Sequence, residues 1–222
     1  AEVVLTRSDV GRGHPEYYQD LGRSIAKERD AYFINQFGNP DNPLAHERTT
    51  APEILAQLDG DVGAIVLGVG SSGTVSGMTK YFREHAPDLK LVLADPEGSI
   101  LADHINTGEY GDSSSWLVEG IGEDFIPDIA DFSMVHKAYA VSDADSFEPA
   151  RAPSPKESLL AGSSPDTPLA AALPHCPPQA TPPNAVEVPC DTTHHSPSKP
   201  STPLRMEAQR FIPREPFGYL TD

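Results

Sequence analysis

Cysteine is nearly absent from this 222-residue chain. Cys176 and Cys190 are the only two, too few to staple a small secreted scaffold, so a reduced, cytoplasmic setting is expected. Positive charge is scarce as well. Lys and Arg total 16 against 33 Asp and Glu, and the formal charge of −17 repels a polyanion, which sets nucleic acid aside as a partner. No apolar run approaches the ~20 residues that cross a bilayer, and the N-terminus carries neither a basic region nor an apolar stretch of signal length. No membrane association and no secretion signal are expected. At roughly 100–200 residues per domain, the length suits one domain or a domain with an appendage.

Proline is sparse in one part of the chain only. Of 23 prolines, 7 fall in residues 1–147 and 16 in residues 148–222. The charge changes at the same place, from 10 basic and 25 acidic residues before Glu148 to 6 and 8 from there on. Proline removes a backbone donor and biases the preceding residue away from the helical region. By composition alone, residues 148–222 read as a polyproline-like tail.

The first part alternates strand and helix. Glu2–Thr6 reads as a buried strand, and Pro15 opens an amphipathic stretch to about Arg29, with Tyr18, Leu21 and Ile25 at helical spacing. Ala31–Asn35 reads as a second short strand, followed by a polar loop through Pro40 and Pro43. Thr50-Ala51-Pro52-Glu53 has the form of a capping box opening a helix to about Leu58. Then come a strand Gly63–Leu67, a glycine-rich turn, a helix from Gly73 to His85 and a strand Lys90–Ala94; Met134–Val141 reads as a later strand, with a helix starting at Ser142. This order predicts an α/β fold, a mainly parallel sheet with flanking helices.

Chemistry concentrates at the turn Gly68–Thr74 (GVGSSGT). It follows a strand and opens a helix, so unpaired N–H groups and the positive helix end converge where a phosphate can sit, and glycine lets the backbone approach it. Two readings compete. Gly68, Gly70 and Gly73 satisfy the G-x-G-x-x-G dinucleotide pattern, with Asp95 at the end of the next strand placed to hold ribose hydroxyls, as in an NAD-binding oxidoreductase. The hydroxyls of Ser71, Ser72 and Thr74 instead suit a terminal phosphate monoester and tilt the expectation toward pyridoxal phosphate.

Three longer segments carry a resemblance. Gln36–His46 (QFGNPDNPLAH), Asp95–Leu101 (DPEGSIL) and Val118–Pro127 (VEGIGEDFIP) are similar, in the same order, to the pyridoxal-phosphate-dependent cystathionine β-synthases. Cysteine synthases share the glycine loop and the Gly-Ile-Gly turn and are the alternative. The resemblance implies a fold-type II catalytic domain like the tryptophan synthase β-subunit, partial in residues 1–147. Residues 148–222 would continue the same domain, in register with the family but too rich in proline to fold fully. It implies cofactor contacts at Gly70, Ser71, Ser72, Gly73 and Thr74, at Gly120, Ile121 and Gly122, and at Ser163 of Leu160–Ser164 (LAGSS), whose hydroxyl would meet the pyridine nitrogen. Such a neutral partner leaves that nitrogen largely unprotonated, which favours elimination over transamination. The implied reaction is β-replacement on serine with homocysteine, giving cystathionine, in a homodimeric parent acting on small amino-acid substrates.

The same resemblance starts partway into the family's catalytic domain. It implies that the lysine binding the cofactor lies outside this chain, since none of Lys27, Lys80, Lys90, Lys137, Lys156 or Lys199 sits in a matching motif, and no catalytic residue is assigned. The expectation is an inactive fragment, poorly soluble or partly unfolded, whose sheet has an uncovered face or edge, with neither heme motif nor C-terminal regulatory module. Pro165, Pro168 and Pro174 are expected to break one family helix, at ~3 kcal/mol or more for an interior proline. Glu119, Glu123 and Asp124 flank the Gly-Ile-Gly turn and are candidates for the second-substrate entrance. Trp116 is expected to fill space beside that turn, and His46 to orient its loop. His175, Cys176, Cys190, His194 and His195 lack paired zinc-ligand spacing, so no metal is expected.

Overall fold

A computed structural model describes residues 1–7, 10–147, 166–175 and 185–187. The expectations placed on Ser163, Cys176, Cys190, Lys156, Lys199, His194 and His195 lie outside the described residues, as does the side chain of His175. Four parallel strands form one sheet: β1 (Ala64–Gly68), β2 (Lys90–Pro96), β3 (Val135–Val141) and β4 (Ala185–Glu187), in the order β3-β2-β1-β4. The helices are α1 (Tyr18–Glu28), α2 (Asp41–Arg48), α3 (Thr50–Gln57), α4 (Gly73–His85), α5 (Leu101–Thr107), α6 (Asp143–Phe147) and α7 (Asp166–His175).

Alternation along the strands sorts the core into two layers. Ile65, Leu67, Leu91, Leu93 and Ala138 pack with Val75, Met78 and Phe82 of α4 and Leu101 and Ala102 of α5. Val66, Val92, Ala94 and Val141 face the other way and meet Ala171 of α7, all buried. Of the uncovered face or edge that the sequence leads one to expect, this face is met by α7, an element from the proline-rich part, while β3 and β4 are the edges of the sheet among the described residues. Helix α7 forms with Pro168 in its first turn, where no intrahelical N–H bond is required, and Pro174, its penultimate residue, removes one N–H bond from the last turn only. At the β3 edge, the Asn106 amide satisfies both backbone groups of Ala138, at 2.8 and 3.1 Å.

Several local expectations are corrected. Glu2–Thr6 and Ala31–Asn35 are not strands: Leu5 is 91% and Tyr32 80% exposed, and among the described residues no strand pairs with either segment, so β-prone side chains have no ladder to join. Helix α1 starts at Tyr18, after a turn closed by the Tyr17 N–H on His14 O. The loop through Pro40 and Pro43 contains α2, with Pro43 in its first turn. The capping box is not made. Thr50 lies inside α3, its hydroxyl meets His46 Nδ1 at 3.0 Å, and Glu53 accepts from Gln57. Helix α5 was not foreseen, because the Asp95 carboxylate that holds its first turn, accepting from the Ala102 N–H at 2.8 Å, lies on β2.

Candidate cofactor site

Strand β1 ends at Gly68 and the chain reverses into α4 through Val69–Ser72. Ser72 takes the left-handed region at φ +69° and is the N-cap of α4, yet its side chain makes no capping bond. Its hydroxyl is buried without a hydrogen-bond partner. A Cβ at Gly70 would come within 2.7 Å of the Gly120 carbonyl oxygen, and one at Gly73 would overlap the Asn42 amide. Glycine is required at both by close approach. Asn42 donates to Gln36 O at 2.8 Å and to Ser71 Oγ at 3.2 Å, tying the turn to α2. His46 is on that helix. Its Nε2 lies 3.3 Å from Thr74 Oγ1, and burial pulls its pKa down.

A second turn, Val118–Glu123, lies against the first. The Gly122 N–H donates to Val69 O at 2.8 Å, and Trp116 Nε1–H donates to Ile121 O at 3.0 Å while its ring packs on Val118 and Ile121. Gly120 and Gly122 both have positive φ, +81° and +84°. Ser99, in the loop after β2, accepts from the Glu123 N–H at 3.0 Å and donates to its carbonyl at 3.1 Å. The two turns wall a cleft of about 530 Å³ that brings together Gly70, Ser71, Gly120, Ile121 and Gly122, with Gln36, Phe37 and Glu123. Ser72, Gly73 and Thr74 are not among its lining residues; they continue from Ser71 as the N-cap and first turn of α4. None of Lys27, Lys80, Lys90 and Lys137, the described lysines, lines it.

Burial pushes the Glu123 carboxyl up to about 7; the charge of Asp124 acts in the same direction and Arg12 against it. Glu119 and Asp124 are exposed beside it. Asp95 is fully buried, its carboxyl raised to about 6 by that burial against the hydrogen bonds it accepts, and one oxygen is committed to α5. It is not placed to hold the ribose of a nucleotide. The groups that sequence reasoning missed are Asn42, whose amide braces Ser71, and Ser99, which anchors Glu123; both lie in segments singled out only for their resemblance. Among the described residues there is no group of three or more His, Cys, Asp or Glu placed to hold a metal ion, and no helix is long and apolar enough to cross a membrane.

An uncapped helix start, a buried hydroxyl lacking a partner and a backbone that admits no Cβ fit a phosphate-bearing ligand, whose oxygens supply the missing acceptors. The fold and this site define a fold-type II cofactor-binding domain, and the comparisons agree. Residues 1–186 match the family model described as pyridoxal-phosphate dependent enzyme, and the chain belongs to that family. It is 36% identical over 174 residues to cystathionine beta-synthase of Mus musculus, covering 78% of this chain and 31% of that protein. It is 42% identical over 174 residues to cysteine synthase of Helicobacter pylori, covering 78% of this chain and 54% of that protein. A crystal structure of O-acetylserine dependent cystathionine beta-synthase from Helicobacter pylori superposes with a TM-score of 0.71 at 33% identity, over 80% of this chain and 56% of that one. The chain thus spans from about a third to about half of the proteins it matches.

Proposed function

We propose that this chain carries the cofactor-phosphate wall of an enzyme of sulfur amino-acid synthesis that joins serine and homocysteine into cystathionine. In that reaction the C–O bond at the serine β-carbon breaks and a C–S bond forms, and the thiol proton leaves with the hydroxyl as water. When bound, pyridoxal phosphate supplies the electron sink for the negative charge that develops at the substrate α-carbon. The chain's own residues hold and shield it. The N–H groups of the Gly70–Thr74 segment and the hydroxyls of Ser71, Ser72 and Thr74 would hold its phosphate, and Gly120, Ile121 and Gly122, on the facing turn of the cleft, would line the rest of its site. By resemblance, Ser163, outside the described residues, would meet the pyridine nitrogen. Glu123, at the cleft wall, can hold or release a proton near neutrality beside the entering nucleophile.

The single observation that carries this reading is the buried, unpartnered Ser72 hydroxyl at the uncapped start of α4. The test of the cofactor part is binding of pyridoxal phosphate against pyridoxal by the full chain. A preference for the phosphate ester of at least about tenfold, the scale of one charge-assisted hydrogen bond, supports the reading, and equal affinity overturns it. A second reading rests on the 42% identity to a cysteine synthase and on the O-acetylserine dependence of the structural relative: the first substrate is O-acetylserine and the nucleophile sulfide. Product analysis of the whole protein with each substrate pair separates the two. Cystathionine formed faster than cysteine is expected; a large excess of cysteine moves the assignment to cysteine synthase.

A further inference from the structure

His46 joins two hydroxyls that come from different elements. Its Nδ1 lies 3.0 Å from Thr50 Oγ1 at the start of α3, and its Nε2 lies 3.3 Å from Thr74 Oγ1 in the first turn of α4. All three side chains are part-buried. A neutral imidazole has one N–H and one acceptor nitrogen, and each threonine has one hydroxyl proton, so three protons serve two hydrogen bonds. One is spare. With the ring proton on Nδ1, Thr74 spends its own proton on Nε2 and the spare one sits on Thr50. With the ring proton on Nε2, Thr50 donates to Nδ1, Nε2–H donates to Thr74 Oγ1, and the spare proton is on Thr74.

The two ends are not equivalent. Thr50 is at the far side of the imidazole from the glycine turn, and His46 is its hydrogen-bond partner. Thr74 stands two residues after Ser72, at the helix start where backbone donors and the Ser72 hydroxyl await an acceptor. An anion there can accept the spare proton. Burial of His46 disfavours the doubly protonated ring, which keeps the two-state choice intact at neutral pH.

We propose that His46 is a positioning residue for the cofactor phosphate: as the Nε2–H tautomer, its Nδ1 accepting from the Thr50 hydroxyl, it donates to Thr74 Oγ1 and so leaves the Thr74 hydroxyl proton free for the anion. The proposal rests on the reading of the α4 N-terminus as the phosphate site. Sequence spacing alone does not reveal it, since Thr50, His46 and Thr74 belong to three helices, brought together because α2 and α3 both pack on α4.

The test uses the full chain at neutral pH with histidine labelled by ¹⁵N in the imidazole, His46 being assigned among the 8 histidines by its loss in His46→Gln. Adding pyridoxal phosphate is expected to give the Nε2–H tautomer of His46, and pyridoxal without phosphate is expected to leave the tautomer as it was. In parallel, the ratio of pyridoxal to pyridoxal-phosphate dissociation constants is measured for variants. Thr74→Val should lower it about tenfold or more, as for a hydrogen bond to a charged group, and His46→Leu about two- to tenfold, as for a neutral one. His46→Gln, whose amide nitrogen can still donate to Thr74, should keep most of the ratio. An unchanged ratio in Thr74→Val overturns the phosphate reading itself. A lowered ratio in Thr74→Val with no change in His46→Leu, or an Nδ1–H tautomer in the complex, overturns only the role of His46. Should His46→Leu fail to melt cooperatively, the tautomer measurement on the unmutated chain decides.

Discussion

Ser72 combines two costs at one position. A side chain held at φ +69° is strained relative to glycine, and a buried hydroxyl without a partner forfeits its hydration. Both are tolerated where a ligand will supply the missing acceptor. Ser72→Ala is therefore expected to raise the stability of the ligand-free chain by about 1 kcal/mol, the cost of an unsatisfied buried hydroxyl, and to weaken pyridoxal-phosphate binding by about 1.5–3 kcal/mol. Urea midpoints and cofactor titration should move in opposite directions; a fall in both would mean that the hydroxyl has a structural partner. Glu123 gives a pH prediction. Burial holds its carboxyl at about 7 when folded, above the 4.5 of a free glutamate, so between those values the folded state binds more protons than the unfolded one, and this group's contribution to stability is lost as pH rises. Glu123→Gln should be nearly neutral at pH 4.5 and stabilising by about 1–3 kcal/mol at pH 8. The difference in urea midpoint between variant and parent at the two pH values checks it.

At the scale of elements, the turns and strands of the site were legible and their bracing was not. β1, α4 and β2 could be read because each carries a continuous apolar run or a helical apolar stripe bounded by glycine or proline, and α4 spans Gly73–His85 as its pattern predicts. Glu2–Thr6 and Ala31–Asn35 carry the same β-prone residue types, but a strand is a property of a pair, and no periodicity reveals a missing neighbour. Helix α2 was hidden by Pro40 at its N-cap, Pro43 in its first turn and its polar surface; what holds it is packing on α4, where a Cβ at Gly77 would strike Pro43 O and the His46 side chain. The Gly120–Gly122 turn was singled out by the resemblance of its segment and Trp116 was expected to fill space beside it, while the bonds that clamp the turn, from Trp116 Nε1–H to Ile121 O and between Ser99 and the Glu123 backbone, leave no pattern in the sequence. Gly122→Ala tests the clamp. At φ +84°, with the new Cβ 2.5 Å from Pro96 Cγ and 2.9 Å from Trp116 Cε2, it is expected to cost about 2–4 kcal/mol by thermal or urea unfolding. A cost below about 0.5 kcal/mol would show that the turn repacks freely.

For the whole molecule, the sheet depends on both parts of the chain. β4 extends it beside β1, and α7 buries the second face through Ala171 against Val66, Val92 and Val141. Composition described the later part as a tail, since proline counts do not say where in a helix each proline falls. Ala171→Asp would place a carboxylate in that layer, at 1% exposure, and is expected to cost at least about 3 kcal/mol and increase binding of hydrophobic dyes. Unchanged melting would mean that α7 does not cover the sheet in solution.

The hydrogen bond from the Gly122 N–H to Val69 O joins two turns that are far apart in the chain, on either side of β2 and α5. A contact of that kind closes only after the intervening segment has found its register, so the floor of the cleft belongs to the late stage of folding. Its ligand therefore recognises the finished protein and not its precursors. Pyridoxal phosphate in the growth medium should then act as a folding aid, drawing the last step forward by mass action, and synthesis in cells starved of it should leave more of the chain to chaperones and proteases, with no residue changed.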